Sequence, residues 1–192
     1  MKNFVILPNQ LFELKYLENE NITPDKYEIY LYQHPQYFRK YNYNKKKLLL
    51  HYSSMNYYKN YLNENKYNVK FIRFKKKFNI KNYDMFKSAD NLDDLKPEIV
   101  FDNPNYLLNT ELHEKYQEKT DKFIFNNFYM WAKKELNILP GVKSTDKANR
   151  KRMPKDIKIP DLKELTKLEK DFINKNVKMV EKNSNKNYGT TD

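Results

Sequence analysis

Short apolar runs separated by stretches with helical spacing are the feature that most narrows what this chain can become. Phe4–Leu7 is a brief apolar run ended by Pro8, and Tyr27–Tyr32 (YEIYLY) lies between Pro24–Asp25 and His34–Pro35. Val69–Phe74 is a third such run, and Glu98–Phe101, after Pro97, is a fourth. Between the second and third, Lys45–Asn65 spaces Leu48, Leu49, Tyr52, Met55, Tyr58 and Leu62 three and four residues apart, which makes one face of a helix. Further helices are predicted over Asn105–Lys119 and Asn127–Leu136, the second amphipathic through Phe128, Trp131 and Leu136. Strand–helix–strand alternation at this spacing implies crossovers and a parallel sheet covered on both faces. Ligands of such sheets bind beyond the carboxyl ends of the strands. That rule puts Asn9–Gln10, after the first strand, and Gln33–His34, after the second, at one rim.

Composition closes off several kinds of chemistry. There is no cysteine, so no disulfide framework, thiolate metal site or iron–sulfur cluster can be built from this chain. The three histidines, His34, His51 and His113, are far apart and lack the spacing of metal ligands. With only two glycines, neither a GxGxxG turn nor a Walker-type phosphate loop exists. No nucleophile–base pair suggests hydrolysis, and Asp93–Asp94 reads as an exposed doublet with no third ligand. Lys or Asn interrupts every apolar run before the roughly 18 residues needed to span a bilayer. The N-terminus reads as a strand, not a signal peptide. A soluble, intracellular protein is the expectation.

The charge supports two readings. Thirty-seven basic residues against 25 acidic ones give a formal net charge of +12, which favours polyanions such as nucleic acid. Lys, Asn, Tyr, Ile and Phe also share AT-rich codons, so a biased genome raises lysine with no binding role at all. The triplets Lys45–Lys47 and Lys75–Lys77 carry the same choice between phosphate contacts and a solvated face. From Pro140 the composition changes. Residues Gly141–Pro160 are basic and broken by Pro154 and Pro160, which predicts a linker, and Asp161 opens a helix to about Lys182. The resulting division is a domain over 1–139 and a linker with a terminal helix over 140–192.

A set of motifs in fixed order carries a family resemblance. ILPNQLF at 6–12 is followed by YLYQHPQYF at 30–38, NYNKKKLLLHYSSMNYY at 42–58 and VKFIRF at 69–74. FDNPNYLLNT at 101–110, FNNFYMWAKKELNIL at 125–139, ANRKRMP at 148–154 and VEKNSNKNYGTTD at 180–192 continue it. Together they resemble the N-terminal domain of the deoxyribodipyrimidine photolyase-related family, the iron–sulfur bacterial cryptochromes and (6-4) photolyases. The similarity covers nearly this whole chain, but only the first part of the family's longer chain.

The resemblance implies a Rossmann- or flavodoxin-like antenna domain, truncated before the flavin domain, in a DNA-photorepair system. It implies a rim pocket for a ribityllumazine-type chromophore, with no flavin (FAD) or iron–sulfur cluster in this chain and no catalysis by it alone. A separately encoded flavin-binding half would be the partner, with weak DNA contact besides. Asn9, Gln10, Gln33, Tyr37 and Lys47 are the residues expected to supply the polar groups of that pocket. For Asn9 and Gln10, the competing reading is that they only satisfy backbone groups where the strand ends. Leu48, Leu49, Met55 and Trp131 are expected in the core. Three positions depart from the family pattern. Gln33 replaces an acid in the second-strand loop, Asn44 replaces a histidine, and the acid before Asn149 is Ala148. The alternatives are a basic nucleic-acid-associated protein of the same fold without pigment, or a remnant with no activity.

Overall fold

In the computed structural model, residues 1–142 and 164–183 are described, together with Asp156 and Gly189. Apart from Asp156, the expected linker beyond Val142, with Arg150–Arg152, and the expected helix start at Asp161 lie outside the described residues. The chain forms two compact units, Met1–Pro104 with Leu165–Asp192, and Asn105–Glu164. The compositional change at Pro140 falls inside the second.

The first unit is built on a five-stranded parallel sheet. Its strands are β1 (Lys2–Ile6), β2 (Tyr27–Tyr32), β3 (Val69–Ile72), β4 (Tyr83–Phe86) and β5 (Val100–Phe101). Their order is β3-β2-β1-β4-β5, the Rossmann arrangement rather than the flavodoxin one. All four pairings are parallel, with Phe4 opposite Ile29 on one side and opposite Asp84 on the other. The sheet is Rossmann-like without a Gly-rich turn.

β1 shows why the apolar runs are continuous. Phe4 and Ile6 enter the core beneath the long helix α3 (Lys45–Glu64), while Val5 and Leu7 enter a second core on the opposite face. All four are fully buried. A parallel strand with both faces covered has no polar side to show, which is the physical origin of the pattern.

α3 has the face its spacing predicts: Leu48, Tyr52, Met55, Tyr58 and Leu62 are buried, and Leu49 is half-buried against the same core. Asn44 caps its start by accepting from the Lys46 N–H at 2.9 Å. The helix ends through Lys66, whose φ of 68° is the left-handed conformation usually given to glycine. Four other non-glycine residues share that region, three of them asparagine (Asn21, Asn82, Asn137) and the fourth Leu139. With only two glycines in the chain, asparagine, the residue that tolerates this conformation next best, takes three of the seven positive-φ positions among the described residues.

Two short helices escaped the sequence pattern, α1 (Leu14–Asn19) and α2 (Pro35–Phe38). So did β4, because Asp84 interrupts its apolar run. That carboxylate is 1% exposed and accepts from the Tyr27 hydroxyl at 2.9 Å and the Ile99 N–H at 3.2 Å. The last helix, α6 (Lys167–Asn183), packs on α3. Val180 is fully buried there, and Asn56 donates to Asn176 Oδ1 at 2.7 Å. Gly189 lies beside Asn44. Its φ is +85°, and a Cβ there would meet Asn44 Nδ2 at 2.5 Å.

The second unit holds α4 (Thr110–Gln117), shorter than its predicted span, and α5 (Phe125–Glu135), which starts two residues and ends one residue ahead of its predicted bounds. Trp131 is half-buried and packs on Tyr116, with ring centroids 5.0 Å apart, and on Phe128 at 6.1 Å. Its place is structural, as its spacing indicates.

Met55 is fully buried and Leu50, on the same helix, is 65% exposed. Met55→Ala is therefore expected to cost ~2–5 kcal/mol and Leu50→Ala less than ~0.5 kcal/mol in urea denaturation.

Candidate functional site

In a sheet of this order the strand sequence reverses between β1 and β4, and the crevice at that point is where ligands bind. The turns after these two strands meet there. Asn9 donates through Nδ2 to Asp90 Oδ2 at 3.4 Å, across the crevice. Tyr37, on α2, donates its hydroxyl to the same carboxylate oxygen at 2.5 Å. Asn9 and Ser88 also reach that hydroxyl, and the Asp90 N–H donates to Ser88 Oγ at 3.1 Å. Burial first, and then Asp90, push the Tyr37 phenol well above its ordinary value, so it stays a proton donor.

Gln33 extends β2 by one ladder bond, its N–H donating to the Ile72 carbonyl at 2.9 Å. It continues the alternation of Tyr27, Ile29 and Leu31, whose side chains line the core under α3. Gln33 is fully buried, yet neither its Oε1 nor its Nε2 has a hydrogen-bond partner. Asn9 Oδ1 and His51 Nε2 are likewise buried and unpartnered. His51 comes from α3, with its ring 6.1 Å from that of Tyr37 and 5.7 Å from that of Phe38. Burial, and after it the charge of Lys47, push its imidazole below the ordinary value. A buried amide without a partner is rare in a folded protein. Here several such atoms occur at one end of one sheet.

The expected site residues divide. Asn9, Gln33 and Tyr37 stand at the carboxyl edge with their polar groups available or shared with Asp90. Gln10 does not. Its Oε1 accepts from the Leu7 N–H at 3.2 Å and its Nε2 donates to the Phe86 and Lys87 carbonyls at 2.9 and 3.3 Å. That side chain ties the β1 turn to β4. Lys47 is exposed, its ammonium 4.6 Å from the centroid of the Tyr43 ring.

Sequence reasoning missed Asp90 and His51. Asp90 supplies a carboxylate at the rim although Gln33 occupies the family's acidic position. Finding it required recognising β4, which Asp84 disguises. His34 was expected at the rim with no defined role. Its Nδ1 accepts from the Gln36 N–H at 3.2 Å, so Nε2 carries the proton donated to Asp94 at 3.0 Å. Asp94 is therefore a partner of His34 rather than half of a free doublet. Among the described residues, no cluster of three acidic or histidine side chains forms a metal site, and no helix is long and apolar enough to cross a membrane.

The model of the deoxyribodipyrimidine photo-lyase-related protein family matches residues 4–94 and 79–192. The chain belongs to that family. Among curated proteins, an uncharacterized protein of Acanthamoeba polyphaga mimivirus, R852, is 28% identical over 195 residues. The alignment covers 82% of this chain and 98% of the viral one, so the two are of similar extent.

His51 gives the rim a pH dependence. Below about pH 6.5 the unfolded chain gains a proton at His51 that the folded chain resists, so stability falls on acidification. The depressed Glu28 carboxyl acts with the same sign, but only below its ordinary 4.5. The expected result is a melting temperature that drops between pH 7 and 5, and drops less in His51→Gln, read by circular dichroism.

Proposed function

We propose that this photo-lyase-related chain is a chromophore-binding, light-harvesting domain of a DNA-photorepair system, working with a flavin-binding unit carried outside these residues. The observation that carries this reading is the fully buried, unpartnered Gln33 amide at the carboxyl edge of the sheet. An aromatic, amide-bearing ligand of the ribityllumazine type needs apolar walls and a few fixed polar groups. Gln33 and Asn9 Oδ1 offer both a donor and acceptors. Asp90 holds the Tyr37 hydroxyl in place, and burial keeps His51 neutral, with Nε2 free to donate or accept according to its tautomer. Bound there, the chromophore would absorb light and pass the excitation to a flavin carried elsewhere.

A structural amide and a ligand-binding amide respond differently to replacement. Gln33→Met removes an unsatisfied buried polar group, so the free protein is expected to keep or gain melting temperature. Each lost hydrogen bond typically costs about 0.5–1.5 kcal/mol, so the same change should weaken ribityllumazine binding several-fold to about tenfold. Fluorescence titration and thermal melting of both proteins check this. A loss of stability with unchanged binding overturns the reading. Tyr37→Phe, which frees Asp90 and Asn9 from their shared partner, should also weaken binding.

A further inference from the structure

We infer that the carboxyl edge of the sheet, on the β3 side, is a binding track for single-stranded nucleic acid. This goes beyond the chromophore reading and does not depend on it.

Parallel strands send every following turn to the same edge, and this chain places basic residues in two of them. Arg39 and Lys40 follow β2, Lys45–Lys47 begin α3, and Arg73 with Lys75–Lys77 follow β3. The two lysine triplets, distant in sequence, thus share one rim. Arg39, Lys75, Lys76 and Lys77 line a single hollow of about 480 Å³ whose walls include Tyr32, Phe74 and Phe78. A second hollow, of about 440 Å³, shares Pro35 and Arg39 with the first and adds Gln36 and Lys40. Tyr43 donates its hydroxyl to the Gln36 carbonyl, and Lys47 lies over the Tyr43 ring, which extends the track to the start of α3.

The acids of this region are already engaged. Asp94, the only carboxylate lining either hollow, pairs with His34 at 3.0 Å, and Asp90 is held by Tyr37. Arg39, Lys76 and Lys77 have no acidic partner among the described residues. Four cations against the one carboxylate of the first hollow, with Lys40 added in the second, leave an excess of positive charge spread over several side chains. Such a spread fits the repeated charge of a phosphodiester backbone better than one isolated phosphate. Tyr32 and Phe74 are buried and only back the hollow, but Phe78 and Tyr43 are half-buried and Tyr41 is open. Accessible rings among cations point to a single strand, whose bases stack on them. Tyr41 is 63% exposed, with the Lys40 ammonium 5.5 Å from its ring centroid.

The test is fluorescence anisotropy of the full chain with a labelled 20-nucleotide single strand of mixed sequence, across salt concentrations. The triple variant Arg39→Gln, Lys76→Gln, Lys77→Gln should lower the slope of log affinity against log salt by about 2, at roughly 0.7 per phosphate contact. Lys26→Gln, Lys66→Gln, Lys81→Gln removes the same charge from the opposite edge, ahead of β2, β3 and β4, and should leave the slope nearly unchanged. Tyr41→Ala should weaken binding by about tenfold at fixed salt. Equal loss in both triple variants would reduce the effect to net charge and overturn the inference. So would equal affinity for heparin or anionic vesicles combined with no effect of Tyr41→Ala. Circular dichroism on each variant separates lost binding from lost fold.

Discussion

A carboxylate buried inside a parallel sheet has to be answered by donors, and Asp84 is answered from three strands' worth of chain. The Tyr27 hydroxyl from β2 and the Ile99 N–H ahead of β5 both donate to it, and the Lys2 ammonium from β1 lies 3.9 Å away. Burial, and then Asp84 itself, push the Tyr27 phenol up to about 12, so the donor keeps its proton throughout the physiological range. A slip of β4 by one residue would turn Asp84 to the other face, away from all of these partners. The register of β4 follows, and with it the position of the Lys87–Asp90 turn. Asp90 can reach Tyr37 and Asn9 because Asp84 fixes the strand that delivers it.

The two ends of the sheet consequently differ in character. At the amino edge polar groups are consumed by structure: Asp84 as described, and Asn3 donating to the Lys81 and Asn82 carbonyls. At the carboxyl edge Gln33, Asn9 and His51 retain unused hydrogen-bonding atoms. The difference is chemical as well as positional. Single unpartnered atoms also occur at Thr23, Ser53, Tyr58 and Trp131, but among the described residues only Gln33, at the carboxyl edge, leaves both polar atoms of a fully buried side chain without a partner.

Much of the fold was legible because its strands obey a simple rule. β2 matches its predicted bounds, Tyr27–Tyr32, and α3 differs from its own by one residue. Both bury a continuous run or one helical face, and local pattern suffices. β4 was not legible because one of its four residues, Asp84, is polar for reasons that lie 57 and 15 residues away. The rim was half legible. Parallel topology alone put Asn9 and Gln33 at one edge, whereas Gln10 turned inward to backbone carbonyls that no local pattern announces. Asp90 depended on the unseen strand. The terminal helix was visible as a helix, but its docking on α3 through Val180 and Asn176 is a long-range contact without a local signature.

The central position of β1 has a consequence for how the protein is made. β2 is synthesised soon after β1, yet β4, which closes the other edge of β1, comes some fifty residues after β2. At roughly 5–20 residues per second, the central strand emerges several seconds before its second neighbour exists. The core under α3 waits longer still, since Val180 completes it near the end of the chain. During elongation the nascent chain therefore carries an unpaired apolar strand edge and an open helix face. Asn3, one of the β1 residues with which β4 will later pair, and Lys2, the first residue of the strand, make the start of that edge polar. The amino edge that locks the finished sheet also shields it while it is incomplete.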